Sequence, residues 1–513
     1  MKECLKYLRA WVYKMKLNLL CYLLIIISAS CTSTKKLNYK VSTQKHNPEE
    51  LSRDLKVLKE ALIEAHPGLY WYVSGSEVDS IFNDVENQID KPLTSSEFYK
   101  LTAPAVAKIR DGHTRLILPG IRKSEKEKDA DKKKGKPPLS QFKYKIIEDK
   151  LFIIDNKSAD TTLKRGSEIE KIDGKPVEEV LSKLGSLFSS DGYNETFKNR
   201  YTEKQLSGLY KTYYNRSDSI KLTVKDKNHL ITYFKSPVDS TALKDKKLQN
   251  RLRQDKEKRR YKGFDENNEP LLDLKIIPGD NKIAILKVKS FSFSGDDHKR
   301  FFEEAFKEIR NNNIEKLILD LRYNPGGKLS TCKMLFSYLT NTESAFLSDL
   351  EVRDKWYPSR KYFDNRLILD IQNAFLVKRS GHGYRARLKG VKAVAPNKLH
   401  YSGDMYVLIN GYSFSASSLL AANLHGINRA VFIGEETGGG YNKCTAGIIP
   451  LVTLPETRVK LRLPLIKIAP AKIRDLEGRG VFPDYKVIPT LDDLLSNKDS
   501  ELDFTLKLIA EGK

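Results

Sequence analysis

The chain has 513 residues, with 90 Lys plus Arg against 66 Asp plus Glu and a formal net charge of +24. Hydrophobic residues make up 40% and charged residues 30%, which excludes a disordered chain and a multispan membrane protein. Five cysteines exclude a disulfide-built scaffold, and no CxxC, HExxH, GxxxxGK[ST] or GxGxxG motif occurs. The length predicts roughly two to four domains.

The first thirty residues are typical of an export signal. Basic residues up to Lys16 precede an apolar run over residues 17–27, which ends in Ser28-Ala29-Ser30-Cys31. The run is short for a transmembrane span. Small residues directly before a cysteine resemble a bacterial lipobox, which predicts a lipoprotein signal over residues 1–30 and lipidation of Cys31. An ordinary signal peptide with an incidental cysteine is the alternative.

The predicted lipid would attach the chain to a membrane of the bacterial cell envelope, as a periplasmic or surface-exposed lipoprotein. The polar residues 31–46 suit a flexible tether. Much of the positive charge lies in Lys-rich runs such as Lys123–Lys136 and Lys244–Lys262. Such runs are usually solvated, so we predict linkers over residues 120–138 and 239–273 and no nucleic-acid partner.

Residues 47–119 have helical apolar spacing and predict an N-terminal helical domain. Thr94 and Glu97 form a capping box ahead of its third helix. The domain ends at the sequence Asp111-Gly112-His113-Thr114. The two apolar stripes are Leu51, Leu55, Leu58 and Leu62, and Val78, Ile81, Val85 and Ile89.

Residues 139–238 change to short strands. The stretches KYKIIE and KLFIID lead to a hairpin at Asp173-Gly174, and this order resembles the middle of a PDZ domain. A helical insertion is predicted from Tyr193 to Tyr214, before closing strands. No clear carboxylate-binding loop is present, so peptide capture by this PDZ-like module stays open.

Residues 274–490 alternate buried strands with amphipathic helices and predict a layered α/β core, followed by a C-terminal helix over residues 491–513. The predicted strands are KIAILKV, KLILDLR, MYVLIN and AVFIGEE. Residues from about 340 to 402 form an insertion rich in basic and aromatic residues. We interpret it as a lid or substrate rim, with a surface insertion without a role as the alternative.

Two predicted strands end in turns that suit acyl-transfer chemistry. The first leads into Asn324-Pro325-Gly326-Gly327, where glycines let backbone N–H groups approach a developing negative charge, as in an oxyanion hole. A plain strand-to-helix turn is the alternative. The second leads into a serine-rich stretch at a helix N-terminus, residues 411–418, where a serine would benefit from the helix dipole. Serines are also ordinary N-caps, so this reading stays open as well.

The combination of these stretches resembles a known family. DLRYNPGG, SFSASS, GEETGG at Gly434–Gly439 and EGRGVFPD at Glu477–Asp484 resemble the C-terminal processing (tail-specific) serine peptidases. Relatives of that family include the tricorn core protease and the interphotoreceptor retinoid-binding protein. The resemblance implies a crotonase-like core, so the expected fold is a multi-domain α/β protein whose layered catalytic core carries a helical domain and a PDZ-like, β-rich module.

The resemblance also implies site residues. The nucleophile falls on Ser415, with Ser413 and Ser417 as runners-up. Ala416 and Gly326 or Gly327 would supply the oxyanion N–H groups.

One branch of the family uses a lysine base, but Gly440 stands at its position and Lys443 lies three residues later. The tricorn-like branch takes its base from a histidine, which matches His113, while Glu477 matches the acid that would orient it. That branch has a serine before the histidine, where this chain has Gly112. Thr114 is the candidate substitute.

The function implied by the resemblance is a serine endopeptidase acting on polypeptides, with no metal or organic cofactor. The alternative is a catalytically inactive peptide-, glycan- or lipid-binding protein on the same fold, since fold does not fix function. His66 is interpreted as a helix-end residue in an aromatic cluster. The remaining candidate histidines, and the acids Glu435 and Glu436, are interpreted as structural. The structural histidines are His298, His382, His400 and His425.

Overall fold

The protein is described from a computed structural model. The described residues are 44–119, 134–214, 218–234, 263–265, 270–279, 282–292, 295–381, 383–387 and 393–512. The predicted signal segment, Cys31 and most of the predicted tether and linkers lie outside them, as does His382. Within these ranges, no helix has both the length and the hydropathy that a membrane span requires.

Helices occur along the whole described chain. In chain order they are α1 (Pro48–Ala65), α2 (Gly75–Glu86), α3 (Ser95–Ala107), α4 (Val177–Gly185), α5 (Thr196–Tyr214), α6 (Gly295–Asn311), α7 (Leu329–Leu339), α8 (Arg366–Leu376), α9 (Ala416–Gly426), α10 (Leu491–Leu495) and α11 (Ser500–Ala510). Short 3₁₀ helices occur at Pro138–Gln141 and Pro358–Tyr362.

Strands alternate with these helices, which confirms the predicted α/β class. In chain order they are β1 (Lys45–His46), β2 (Leu93–Thr94), β3 (Arg115–Ile117), β4 (Phe142–Ile147), β5 (Lys150–Asn156), β6 (Glu168–Ile169), β7 (Lys171–Ile172), β8 (Lys175–Pro176), β9 (Ser219–Val224), β10 (Lys227–Thr232), β11 (Leu272–Ile277), β12 (Ile283–Val288), β13 (Lys316–Asp320), β14 (Leu347–Val352), β15 (Val377–Ser380), β16 (Gly383–Ala386), β17 (Asp404–Ile409), β18 (Val431–Gly434), β19 (Cys444–Ala446), β20 (Leu451–Thr453), β21 (Lys460–Arg462), β22 (Ile466–Pro470) and β23 (Tyr485–Lys486).

The core is built on a six-stranded sheet in the order β11-β12-β13-β17-β18-β23, in which every neighbouring pair except β11–β12 is parallel. All four strands predicted for the core belong to it. Helix α11 covers part of one face, where Leu508 and Ile509 belong to the same buried cluster as Ile318, Tyr406 and Ile433. Strands β13 and β17 are neighbours, so the two turns singled out in the sequence leave the sheet at the same edge.

The N-terminal helices form as predicted and are capped at their starts. The capping box of Thr94 and Glu97 is present, and equivalent boxes begin α1 at Asn47 and α2 at Ser74. The strand that follows these helices, β3, pairs antiparallel with β21 of the core region, with Leu116 opposite Leu461. The loop at residues 110–114 is therefore fixed between the helices and the core.

The PDZ-like region consists of two small sheets, ordered β4-β5-β6 and β10-β9-β7-β8. The predicted hairpin joins β7 to β8 through Asp173 and Gly174, which both have positive φ, as a tight two-residue hairpin turn requires. The predicted helical insertion is α5. Its Arg200 forms a bidentate ion pair with Glu435, at 3.0 Å for each nitrogen–oxygen contact, so this insertion is attached to the core.

The insertion at residues 340–402 is integrated into the core region. Strand β14 pairs with β22, within a five-stranded sheet ordered β15-β16-β14-β22-β19. Helix α8 lies in the insertion and exposes four large apolar side chains. These are Leu367, Ile368, Ile371 and Phe375, which are 57–78% exposed. Whether the insertion forms a lid or a substrate rim stays a prediction.

Candidate active site

Ser415 lies in the turn between β17 and α9, at the N-cap of the helix. Its φ of 57° and ψ of −122° belong to a region that non-glycine residues rarely adopt. The turn is held directly before the serine, because the Phe414 N–H donates to Asn324 O and the Ser413 hydroxyl donates to Leu321 O. Such strained backbone persists when its surroundings fix it, and it is common at functional sites.

The two neighbouring serines are placed differently. Ser413 is fully buried, and its hydroxyl is engaged with backbone groups of the turn. Ser417 is also fully buried, and its hydroxyl has no hydrogen-bond partner among the described residues. Ser415 is partly exposed. Of the three candidates, Ser415 alone combines access with a nearby base.

That base is His113, whose Nε2 lies 2.9 Å from Ser415 Oγ. The histidine is 3% exposed, and its ring stacks on Phe414 with centroids 4.7 Å apart. Its carbonyl accepts a hydrogen bond from Arg462 at 2.5 Å, which ties its loop to β21. Burial lowers the pKa of His113 to about 4, and the positive charges of Arg462 and Arg115 add to the effect. Its imidazole is therefore neutral near pH 7 and can accept a proton.

Phe414 also explains the departure at Gly112. A Cβ placed on Gly112 would lie 2.8 Å from the Phe414 ring and 3.2 Å from Asp191 Oδ1. The serine that the tricorn-like pattern has at this position therefore does not fit. Thr114 does not replace it, because its hydroxyl donates to Asp111 Oδ2 at 2.6 Å.

His66 belongs to the same site, although the sequence analysis placed it in an aromatic cluster only. Its Nδ1 accepts a hydrogen bond from the Gly68 N–H at 3.0 Å, so the proton of the neutral ring is on Nε2. Nε2 lies 2.6 Å from Asp111 Oδ2 and donates to it. His66 is fully buried and fixes Asp111 from the helical domain.

Asp111 is a buried carboxylate with its hydrogen-bonding capacity filled. Its Oδ2 accepts from His66, Thr114 and Thr445, each at 2.6 Å, and its Oδ1 accepts from the His113 N–H at 3.0 Å. Burial, the largest single influence, would raise its pKa, but the hydrogen bond from His66 and the other interactions of the site, including the hydrogen bond from Thr114, together hold the pKa below its usual value. Asp111 is thus a stable anion beneath the His113 loop.

Asp191 is a second buried carboxylate, and its surroundings are different. Its Oδ1 accepts from the Gly112 N–H at 2.8 Å and its Oδ2 from the Gly440 N–H at 3.0 Å. Burial, with the negative charge of Asp111, raises its pKa to about 7. Gly440 is the position at which the other family branch has its lysine. Here a backbone N–H at that position contacts a carboxylate.

One ring nitrogen of His113 and one oxygen each of Asp111 and Asp191 lie within 4.8 Å of one another. Three such groups suggest a metal site, but the donor set does not fit one, because Asp111 already accepts four hydrogen bonds. We therefore derive no step through a metal.

Glu477 is not brought to the histidine. Its carboxylate lies 2.5 Å from Lys443 Nζ and is 53% exposed, and Nδ1 of His113 has no hydrogen-bond partner among the described residues. Lys443 also lies over the Trp71 ring, 5.1 Å from its centroid, and no contact joins it to Ser415. The prediction that Glu477 orients His113 is therefore not supported by a contact, since the exposed ion pair with Lys443 occupies the Glu477 carboxylate.

The oxyanion prediction needs one correction. The N–H of Gly326 donates to Asn324 Oδ1 at 2.8 Å, so it is already engaged within its own turn. The N–H groups of Gly327 and Ala416 have no acceptor among the described residues. A Cβ on Gly326 would lie 2.8 Å from both Ala416 N and Ser415 Cβ, which places this glycine directly against the nucleophile turn.

The acids next to the histidine were not identified from the sequence. Asp191 lies in an irregular segment with no motif or periodicity, and only its Asp-Gly dipeptide marks a turn. Asp111 stands two residues before His113, and this spacing is the one available signal for it.

Glu435 and Glu436 are structural as predicted, since each accepts a hydrogen bond from a backbone N–H, of Gly411 at 3.1 Å and Gly480 at 2.7 Å.

A cleft of about 740 Å³ lies beside these residues, between the PDZ-like region and the core. Tyr323 and Pro325, directly before the glycines, line one side, and Arg200 and Lys204 of α5 line another. Ser415 and His113 are not among the lining residues. The cleft approaches the reactive turn along the Asn-Pro-Gly-Gly segment.

Comparisons with known proteins identify peptidases among the similar sequences. Residues 282–487 match the sequence model of Peptidase family S41. The chloroplastic carboxyl-terminal-processing peptidase 3 of Arabidopsis thaliana is 25% identical over 215 residues, which are 42% of this chain and 33% of that protein. The tail-specific protease of Haemophilus influenzae is 27% identical over 161 residues, or 31% of this chain and 17% of that protein. The matches thus span a third or less of each relative.

The fold has solved counterparts. The crystal structure of mature CPAF has a TM-score of 0.60 with this chain at 15% identity, covering 90% of this chain and 96% of CPAF. A CPAF mutant structure has a TM-score of 0.62 at 16% identity, with 90% and 97% coverage. This likeness extends from the helical domain through the core. The solved structures show the fold of the chain, and residues 282–487 within it form a domain of peptidase family S41, the family of the C-terminal processing peptidases.

Proposed function

We propose that this chain is an exported, lipid-anchored serine endopeptidase that cleaves peptides or unfolded protein tails. The observation that carries the proposal is the 2.9 Å contact between His113 Nε2 and Ser415 Oγ. A serine hydroxyl is not ionised near neutral pH, and it becomes a nucleophile when a neutral imidazole accepts its proton. The two residues come from segments 302 positions apart, so the fold as a whole creates this contact.

In the acylation step, Ser415 Oγ bonds to the carbonyl carbon of the scissile peptide, and its proton passes to His113 Nε2. The carbonyl oxygen becomes an oxyanion, for which the Ala416 N–H at the start of α9 and the Gly327 N–H are the donors. The carbon–nitrogen bond then breaks, and Nε2 returns the proton to the leaving amine. A water molecule hydrolyses the acyl-enzyme by the same transfers in reverse.

The substrate class follows from the cleft and from the relatives. A cleft of about 740 Å³ beside the oxyanion turn has room for a short stretch of extended polypeptide. The named relatives act as carboxyl-terminal-processing and tail-specific peptidases. We therefore propose unfolded polypeptide ends as substrates.

Labelling with a serine-directed fluorophosphonate tests this proposal. The native protein should be labelled at Ser415 and should cleave an unfolded polypeptide, and Ser415→Ala and His113→Ala should do neither. Ser417→Ala is the matched control, because the Ser417 hydroxyl has no hydrogen-bond partner in the described ranges and the residue lies two positions away from Ser415. A folded native protein that is neither labelled nor active would instead indicate the binding-protein alternative.

The location is a separate part of the proposal, based on the short apolar run that ends in Ser-Ala-Ser-Cys. Cys31→Ala should move the protein from the membrane fraction to the soluble fraction. If the variant stays in the membrane fraction after a high-salt wash, lipidation of Cys31 is not what holds it there.

A further inference from the structure

His113 has one ring nitrogen that the reaction leaves unexplained. Its Nε2 faces Ser415 Oγ as the acceptor, so the proton of the neutral ring is on Nδ1. Nδ1 is buried and has no hydrogen-bond partner among the described residues. A buried N–H without an acceptor is destabilising, and on acylation the Nδ1–H of the imidazolium would have no acceptor in direct contact. The site therefore calls for an acceptor at Nδ1.

Two carboxylates are close enough to be considered, since oxygens of Asp111 and Asp191 lie within 4.8 Å of a His113 ring nitrogen. Asp111 already accepts four hydrogen bonds and is committed to His66. Within the described part of the chain Asp191 accepts two, both from backbone N–H groups, which leaves lone pairs on each oxygen. By this count Asp191 is the acid with capacity for Nδ1.

The segment around Asp191 is held rigidly beside the histidine. The Gly192 N–H donates to Arg110 O at 2.8 Å, and the Tyr193 N–H donates to Gly478 O at 2.7 Å. Gly192 packs so closely on Gly478 that a Cβ would lie 2.4 Å from its backbone. Oδ1 of Asp191 accepts a hydrogen bond from the N–H of Gly112, the residue directly before His113. The Asp191 carboxylate therefore keeps a fixed position relative to His113, the base that it would orient.

We propose that Asp191 is the positioning residue of the base, which accepts the Nδ1 proton of His113 directly or through one bridging water. The inference rests on the proposed peptidase function and assigns to Asp191 the part that the family resemblance gave to Glu477. Hydrogen bonds of catalytic groups are often long in a protein without substrate and shorten when the substrate binds. The carboxylate fixes the reactive tautomer and stabilises the imidazolium that forms when Ser415 loses its proton.

The charges around Asp191 give the proposal a pH dependence. Asp111 faces it as an anion, and Tyr72 and Cys444 are close enough that the charge of Asp191 raises their pKa values, although burial is the main cause for both. Burial raises the pKa of Asp191 itself to about 7. Because the ionised form is the one that supports an imidazolium, kcat/KM should rise with pH through a limb near 7. The neutral form of His113 is already present from about pH 4 upward.

The test is the pH profile of kcat/KM for the native protein, Asp191→Asn and Glu477→Gln. Asp191→Asn keeps the shape and removes the charge, so it should lower kcat/KM at pH 8 by about two to four orders of magnitude and abolish the limb near pH 7. Glu477→Gln should keep the limb. The inference fails if Asp191→Asn keeps the native profile, or if Glu477→Gln is the variant that loses it.

A second measurement needs no mutation. In histidine-labelled native protein, the ¹⁵N resonances of His113 should show a protonated Nδ1 and an unprotonated Nε2 near pH 7, with a downfield Nδ1 proton. A protonated Nε2 would overturn the inference even if Asp191→Asn failed to fold. The two proposals remain distinguishable: a native protein that is inactive and unlabelled contradicts the peptidase function, whereas an active protein with the wrong tautomer contradicts the role of Asp191 alone.

Discussion

The nucleophile side and the base side of the site are built in different ways. The nucleophile side consists of two turns that leave neighbouring parallel strands, β13 and β17, at the same edge of one sheet. The base side is assembled from separate segments: the loop at residues 110–114, the segment at 189–194 and the glycine turn at 438–440. One side is fixed by the topology of the sheet, and the other by hydrogen bonds between distant segments. Charge is concentrated on the second side.

The largest expected effect connects the two sides. Ser415→Ala and His113→Ala should each lower kcat by about three to six orders of magnitude, and the double variant should lose little more, because the two residues act as one unit. Ser417→Ala should stay near the native rate. Steady-state cleavage of an unfolded polypeptide measures all four proteins. If the losses in kcat of the two single variants added up in the double variant, the nucleophile side and the base side would act independently.

The same contrast decides what could be predicted from sequence. The strands, the glycine turn and the serine-rich turn lie in short contiguous motifs with clear apolar patterns, and the structure has them where they were expected. The choice of Ser415 among the serines came from the resemblance. His113 was found through a resemblance, since a lone histidine in a loop carries no pattern. Asp191 was missed because its importance arises only when Gly112 and Gly440, 328 positions apart in the chain, both donate to it. No local sequence pattern predicts a contact that three distant segments form together.

Gly326 shows a limit of motif reasoning at finer detail. The motif correctly predicts glycines against the nucleophile turn, but it does not tell which N–H is free. The side chain of Asn324 occupies the N–H of Gly326 and leaves that of Gly327. A valine at Gly327 is also not a clean probe of the oxyanion site, because a Cβ there would lie 2.4 Å from the backbone of Phe291. The strain would disturb the fold together with the chemistry.

The next effect concerns the stability of the base side. Asp111→Asn should destabilise the protein by about 3–5 kcal/mol, because it leaves His66 and two threonine hydroxyls donating into an amide that cannot accept all of them. The pKa of Asp111 is lowered by folding, so its contribution is present above the unfolded pKa of about 4 and is lost as the pH falls through the folded value. Urea unfolding at pH 7 and at low pH measures both. Equal stability of variant and native protein at pH 7 would contradict the network.

The contribution of Asp191 to the free energy of unfolding should change with pH in the opposite direction to that of Asp111. Its pKa is raised by folding to about 7, so the native protein loses stability as the pH rises from about 4 to about 7, where the buried group must ionise. Asp191→Asn should therefore match the native stability near pH 4–5 and exceed it by about 1–4 kcal/mol at pH 8, even though it lowers activity. Urea unfolding across this range tests the sign. A variant that is less stable at pH 8 would place Asp191 among the structural anions, with Asp111.

The smallest effects are expected at the rim of the base side. Glu477 and Lys443 form an ion pair that is largely open to solvent on the Glu477 side, and such pairs contribute about 0–1 kcal/mol. Glu477→Gln and Lys443→Ala should each change unfolding free energy by less than about 1 kcal/mol and kcat/KM by less than about tenfold. The pair lies beside Trp71 and Tyr72, so a change in KM with constant kcat would indicate a contact with substrate.

A loss of about a thousandfold in kcat for Glu477→Gln would restore this residue as the acid of the site. A similar loss for Lys443→Ala would move the base to the lysine. Either result would show that the solvent-exposed rim, and not the buried carboxylates, controls the reactivity of Ser415.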